Sequence, residues 1–417
     1  MECLRYQCLV WSVFLFLWVA GKAQQTLSNS TYILHQILLK NYNADIRPCL
    51  DCKTPLFVGI KFHLTALNKI DEIEGELSTV GYLKVVWSDE RLTWDPTSNG
   101  VGNVMMPSTK IWTPIVLLGN PSKEIIHLNQ DDAIARVLYN GTVIWHPGDV
   151  FRSRCEYDVH SYPFDKQSCS IVFTPWSYLA SEITFLAASD HADTAFYQEN
   201  GEWKLGLTSS STYTKKQSSF VRFHFNFIRR SEFFVVNIIV PISFLSFLNC
   251  LAFAIPIQSG ERVSYTITVL LSFAVFMTLV SDNIPKTSAP MSLLCYYLTS
   301  LFSGSVLIMT CVTINMSTFY TDPSIDVPPR YVRLHKMVTR GKRRKKLDER
   351  KRHVNCVSND TRQSVQNSNE ADGTTQNVTV TWHEVAAALD KIGLIVSLTY
   401  FSCITIGMIL YTTRSKL

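Results

Sequence analysis

The chain has 417 residues, 47% of them hydrophobic and 18% charged, with a formal net charge of +5 and a mean hydropathy of +0.08. That balance is too apolar for an ordinary soluble protein and too polar for one embedded wholly in lipid, so it implies a soluble part and a membrane part. The positive charge gathers largely in residues 334–353 and therefore gives no support to nucleic-acid binding.

Residues 1–23 combine Arg5, an apolar run Leu9–Ala20 and the small residues Gly21 and Ala23, the pattern of a secretory signal peptide. The mature chain is then expected to begin near Gln24, outside the cell. Residues 31–43 carry Ile33, Leu34, Ile37 and Leu38 at helical spacing, which predicts a short N-terminal helix. Cys49 and Cys52 stand three apart, a spacing that suits a small-ring disulfide or half of a zinc site. From Pro55 the pattern turns strand-like, as in Val221, Phe223, Phe225 and Phe227 against Arg222, His224 and Asn226. Many short strands with turn residues between them predict an antiparallel β-sandwich over 24–232.

Within that region Cys155 and Cys169 enclose Tyr162-Pro163-Phe164-Asp165. A disulfide there would close a compact loop, and a Tyr-Pro bond can adopt cis. An apolar tip ending in an acid suits a surface that presses on another, and an ordinary sandwich disulfide is the alternative. Asn29 and Asn140 head glycosylation sequons on the extracellular side.

Four further apolar runs are long enough to span a bilayer: Phe233–Ile255, Val263–Val280, Met291–Ile314 and Ile392–Tyr411. Residues 233–316 thus hold three spans. Residues 317–391 form a loop whose Lys- and Arg-rich stretch belongs in the cytoplasm. Residues 355–379 are polar and read as disordered. A helical piece, Trp382–Lys391, leads into the last span. Residues 412–417 are expected to form an extracellular tail, and the whole a multi-pass membrane protein with its N-terminus outside the cell.

The second run carries more than apolar residues. On a helix at 100° per residue, Glu261, Ser264, Thr268, Leu271, Val275, Leu279 and Asp282 fall within an arc of roughly 80°. Its two acids lie about 31 Å apart along the axis, close to the ~30 Å hydrocarbon core. Such a stripe suits a water-filled pore. Hydroxyls bonded back to their own backbone and snorkelling end charges are the other reading.

The Cys loop with its Tyr-Pro-Phe-Asp, followed by four spans, resembles the Cys-loop family of pentameric ligand-gated channels. Trp87-Ser88-Asp89 with Leu92 and Trp94, Trp112-Thr113-Pro114, Asn200-Gly201-Glu202-Trp203, Pro241 and Gly260-Glu261-Arg262-Val263-Ser264 extend the likeness. It is similar to the cation-conducting nicotinic acetylcholine and serotonin branch, in an invertebrate-like form without the adjacent cysteine pair of acetylcholine-binding subunits. The resemblance implies five subunits, as a homopentamer or heteropentamer, around a pore for cations such as sodium and potassium, with a small-molecule ligand at each extracellular interface. Nicotinic-like pockets hold an amine in an aromatic cage through cation–π attraction. By that likeness Trp176, Tyr213 and Gly119 belong to the principal face, where Gly119 replaces a tyrosine, Ile115 an expected acid, and the closing loop at Gly206–Ser219 is short. Tyr82, Trp145 and Val143 belong to the complementary face.

The same likeness assigns coupling between pocket and pore to Asp71, Glu72, Tyr162, Pro163, Phe164, Asp165, Arg229, Pro285 and Lys286. In a pentamer Glu261 and Asp282 become acidic rings at the two mouths, and Leu271, Val275 and Leu279 apolar rings able to gate by dewetting. Gln258 stands where many cation channels of the family carry an acid. No nucleophile–base motif or metal triad stands out, so no enzyme activity, cofactor or metal is expected. A subunit that joins a heteropentamer without binding agonist is the alternative function.

Overall fold

The computed structural model describes residues 30–49, 52–125, 127–128, 133–281, 284, 290–338 and 380–416, the side chains of 99 and 412–416 excepted. The expected signal peptide, Asn29, Asp282, Pro285, Lys286 and loop residues 339–379 lie outside the described residues. The chain divides into two compact units. The first runs through Val159 and adds Asp165–Arg230; the second takes His160–Phe164 and Ser231 onward.

In the first unit, residues 30–39 form helix α1, which buries Leu34 and Leu38. The strands are β1 (Leu56–Asp71), β2 (Glu76–Thr93), β3 (Asn103–Pro107), β4 (Val116–Leu118), β5 (His127–Leu128), β6 (Ile134–Leu138), β7 (Asn140–Trp145), β8 (Gly148–Arg154), β9 (Lys166–Pro175), β10 (Ile183–Ala187), β11 (Trp203–Lys215) and β12 (Ser218–Arg229). One sheet orders them β10-β1-β2-β7-β6-β3 with β8 also on β2; the other runs β11-β12-β9-β4-β5. The expectation of an antiparallel sandwich needs one correction: β1 and β10 pair in parallel, Leu56 opposite Ile183. The chain visits the other sheet in β9 before β10 reaches this edge, and such a crossover permits the parallel pairing.

The sandwich forms because alternate residues are apolar. Val58, Ile60, Phe62 and Leu64 of β1 are buried, and Lys61 and His63 between them are not. Phe62 lies at the centre, with ring centroids 5.3 Å from Phe151, 6.0 Å from Phe173 and 5.7 Å from both Phe223 and Phe225. Full burial of each such ring contributes about 1.5–3 kcal/mol. The pairs Cys49–Cys52 and Cys155–Cys169 are both disulfide-bonded. Asn140 is exposed on the β6–β7 hairpin, where Gly141 takes φ +79° and a Cβ would lie 2.5 Å from the Asp89 carbonyl.

In the second unit four helices are long and apolar enough to cross a membrane. The first is α2 (Glu232–Phe253). Its Val235–Ile239 turn is π-helical, just before Pro241. A proline ring crowds the preceding turn and removes a donor, and the wider turn accommodates both. Then come α3 (Arg262–Ser281) and α4 (Leu293–Phe319), the latter capped by the Ser292 side chain. Residues 329–338 form α5. The last helix, α6, runs unbroken over Trp382–Lys416, so residues 412–416, expected as a tail, are helical. Gly304 lets α4 and α6 approach, since a Cβ there would meet Tyr400 at 2.6 Å. Arg262 is wholly buried and ion-paired with Asp390 of α6, and the Asn315 amide donates to the same carboxylate oxygen at 2.5 Å. Arg262 and Asp390 therefore tie the start of α3 to α6, next to Glu261 in sequence.

Candidate functional site

Three surfaces carry the candidate residues. The first surrounds Trp176, in the turn after β9, which is 44% exposed. Its backbone N–H donates to Ile115 at 3.0 Å, and its ring stands 6.1 Å from His127. Gly119 follows β4 and donates to the Val172 carbonyl at 2.7 Å. Trp176, Gly119, Leu117, Thr174, Ser218 and Phe220 share a groove of about 500 Å³. A Cβ at Gly119 would come within 3.2 Å of Val172, so glycine leaves the groove without a side wall there.

Tyr213 lies in a strand, which corrects the expected closing loop. Residues 203–215 form β11, paired with β12 so that Tyr213 faces Phe220. The connection is the two-residue turn Lys216-Gln217, both at positive φ, the geometry of a tight hairpin. The Tyr213 ring stacks on Phe220 at 5.1 Å and has the Arg222 guanidinium 4.8 Å from its centroid. An aromatic expected to receive a ligand's cation thus already has one of its own.

The second surface is the outer face of the larger sheet. Val143 and Trp145 do not lie on it: both are 0% exposed and belong to the core. On a strand successive side chains alternate faces, so the residues of β7 that turn outward are Thr142 and Ile144, followed by His146. Tyr82 does face outward. His63 lies directly opposite it on β1 and stacks on it at 4.5 Å, with the rings 5° from parallel. His146 approaches Tyr82 at 6.1 Å. Lys84 pairs across the ladder with Lys61, whose ammonium is held 2.6 Å from Asp193. Asp193 Oδ2 is also 3.4 Å from His63 Nδ1.

Burial, with Lys61, His146 and Lys84 nearby, draws the His63 imidazole below its ordinary range despite Asp193. Partial desolvation and the charges of Lys84 and Arg136 do the same to His146. A histidine whose folded pKa is lowered binds its proton more readily in the unfolded chain. Stability is therefore full above the unfolded value of ~6.5 and is lost as pH falls through and below it. Melting of the purified protein should drop between about pH 7.5 and 5.5, and drop less in the His63→Gln/His146→Gln double variant. Equal acid loss in both would contradict this assignment.

Among the coupling candidates, Asp165 and Glu72 converge on buried Arg229. Asp165 Oδ1 accepts from its Nε at 2.8 Å, Glu72 pairs with its Nη2, and the Trp203 ring lies 4.1 Å from the guanidinium carbon. Burial works against the Arg229 charge, but the Asp165 bond and the two carboxylates outweigh it and hold the guanidinium above its ordinary range. Asp71 is not in this cluster. It pairs with Lys69 at 2.6 Å and accepts from the Ile73 and Glu74 backbone, shaping the β1–β2 turn. Tyr162 and Phe164 belong to the second unit. The Tyr162–Pro163 bond is cis, Tyr162 packs on Phe234 at 5.2 Å, and His160 accepts from the Leu293 N–H at 2.8 Å.

The third surface is on α3. Glu261, just before its first residue, and Ser264, Thr268, Leu271, Val275 and Leu279 are all exposed, whereas Arg262, Thr266, Val269, Phe273 and Val280 are buried. The Thr268 hydroxyl donates to the Ser264 carbonyl at 2.9 Å, so both readings of the stripe hold at that residue: it is back-bonded and still outward-facing. Sequence reasoning missed His63, His146, Lys84 and Arg222. The alternation of β1 and β2, which turns Phe62 and Leu83 inward, was the available signal for two of them, His63 and Lys84. Among the described residues no group of three metal-ligating side chains forms.

Residues 31–231 match the family model of the neurotransmitter-gated ion-channel ligand binding domain, and residues 238–346 that of the neurotransmitter-gated ion-channel transmembrane region. The chain is 31% identical over 333 residues to the neuronal acetylcholine receptor subunit alpha-6 of Rattus norvegicus, covering 76% of this chain and 67% of that one. It is 31% identical to the acetylcholine receptor subunit alpha-1-B of Xenopus laevis, over 77% of this chain and 72% of that one. Against the neuronal alpha-3 subunit of Homo sapiens it is 31% identical over 73% of this chain and 62% of that one.

Proposed function

The chain belongs to the neurotransmitter-gated ion-channel family as a nicotinic-receptor-like subunit of a plasma-membrane ligand-gated channel, and from that premise we propose that five copies of α3 line a cation pore opened by a ligand at the subunit interfaces. The observation that carries the reading is the exposed stripe on α3. A helix meant only for lipid does not gain from an outward carboxylate and hydroxyls, which cost free energy in hydrocarbon. A water-filled axis accepts them. The Glu261 carboxylates would form a ring that concentrates cations and repels anions at the inner mouth. Gln258 is exposed and uncharged, so that mouth has one acidic ring fewer than many cation channels of the family.

Substituted-cysteine accessibility tests the lining. Single cysteines at Ser264, Thr268, Leu271 and Val275 should be modified by a charged, water-soluble thiol reagent, with at least about a tenfold faster loss of current than at the buried Thr266, Val269 and Phe273. The unmodified chain serves as control because Cys311 and Cys403 are exposed free thiols. Equal rates around the helix would remove α3 from the pore.

One observation favours a second reading, a subunit that assembles without binding agonist: the groove at Trp176 lacks the wall at Gly119, and Tyr213 is occupied by Arg222. Ligand-gated current from this chain expressed alone excludes that reading. Current only with a partner subunit supports it.

A further inference from the structure

The outer face of the larger sheet carries a charge pattern that an aromatic cage for an amine does not need. Lys61 of β1, Lys84 of β2, Arg136 of β6 and His146 just after β7 share this face, with His63 beside them and Asp193 the acid against His63 among the described residues. Asp193 is already engaged by Lys61. Among the described residues Lys84 has no ion-pair partner, and Arg136 donates only to the neutral Asn103 amide, at 2.7 Å. Like charges opposite each other in a sheet, as at Lys61 and Lys84, are destabilising unless something of opposite charge joins them. Both ring nitrogens of His63 are buried and lack a hydrogen-bond partner among the described residues, with Asp193 Oδ2 3.4 Å from Nδ1.

The aromatic groups are also spoken for. His63 covers one face of Tyr82, and Arg222 sits on Tyr213. A quaternary amine would meet cations on the complementary face and an occupied ring on the principal one. A carboxylate meets donors: the Lys84 ammonium and the His146 imidazole, the partners that make short charge-assisted bonds.

We propose that this site, around Tyr82 with Lys84 and His146, recognises its ligand through a carboxylate, so that the ligand is a small carboxylic acid or amino acid. This rests on the interface-pocket reading above and specifies its ligand class. Lys84 supplies the charge and the exposed His146 an N–H donor, while His63, its ring nitrogens buried, backs the Tyr82 ring. Protonation of either histidine adds to the attraction, in a field set by Lys61, Lys84, Arg136 and Asp193.

The test uses the full chain in the Leu271→Thr form, whose standing current reports on the channel without any ligand, alongside wild type. Glutamate, glycine, γ-aminobutyrate and succinate are applied beside acetylcholine, choline and tyramine. The expected result is that at least one carboxylate opens wild type or changes the standing current. Lys84→Ala should then raise the half-maximal concentration about ten- to hundredfold, as loss of a charged hydrogen bond implies, and Lys84→Arg should restore most of it. Carboxylates without effect, an effect unchanged in Lys84→Ala and Lys84→Glu, or acetylcholine and choline acting as strongly as any carboxylate would each overturn the proposal. If Leu271→Thr carries no standing current, the pore reading fails separately. The ligand question is then decided by whether the same carboxylates raise the melting temperature of the purified pentamer, and whether Lys84→Ala abolishes the shift.

Discussion

Leu271→Thr should leave the channel conducting with no ligand present. Leu271 is 62% exposed on α3, one turn above Thr268 and one below Val275 on the same stripe, so in a pentamer it contributes five isobutyl groups to one constriction. A narrow apolar ring expels water, and an ion cannot cross where its hydration shell cannot follow. Threonine is shorter than leucine and carries a hydroxyl that retains water. The symmetry multiplies a small change: if each substitution favours the wetted state by only ~0.3 kcal/mol, five together shift the closed–open equilibrium about tenfold. Whole-cell recording without agonist should show a standing current at least about tenfold above wild type. Currents equal to wild type at equal surface expression would show that the gate lies elsewhere.

Arg229→Ala should cost the extracellular unit most of its stability. The guanidinium is buried between Asp165, Glu72 and the Trp203 ring, and Asp165 is itself 2% exposed and bonded to Gln167 at 2.6 Å. Removing the cation leaves a buried carboxylate unpaired, a change that costs about 3–5 kcal/mol. Arg229→Lys should recover little, because one ammonium replaces neither the two-acid fork nor the flat stack on Trp203. Arg229 ends β12, and the first spanning helix begins within three residues. Thermal melting of the detergent-purified protein should fall for Arg229→Ala and for Asp165→Ala by similar amounts, with the double variant far from additive. Additive losses, or an unchanged melt for either single variant, would contradict the cluster's role.

What could be read in the sequence follows from where side chains are forced apart by polarity. The alternation Val221, Phe223, Phe225, Phe227 marked β12 because one of its faces is core. The four spans declared themselves by length. β11 stayed hidden because it pairs only with β12, at the edge of its sheet. Its run Leu207-Thr208-Ser209-Ser210-Ser211-Thr212-Tyr213-Thr214 buries almost nothing, and its turn at Lys216-Gln217 uses neither Gly nor Asn. Val143 and Trp145 were misplaced by one step of strand parity. A motif match locates the strand, but the pleat decides which residues face out, and those are Thr142, Ile144 and His146. The triad at Arg229 was partly legible, since Asp165 and Glu72 were singled out with it. Asp71 came with Glu72 through the resemblance, and in the structure it pairs with Lys69 instead. The histidines at Tyr82 went unread because neither belongs to a motif; they become visible only when β1, β2 and β7 are placed side by side.

The claim that α3 lines a cation pore is tested most directly by the reversal potential of the Leu271→Thr standing current, in excised patches with NaCl on both sides. Tenfold dilution of the extracellular NaCl should move the reversal potential negative, toward the limit of about 59 mV for a perfectly cation-selective pore. Glu261→Gln should shrink that shift. A positive shift, toward the chloride potential, would contradict the role assigned to Glu261 and with it the account of the pore.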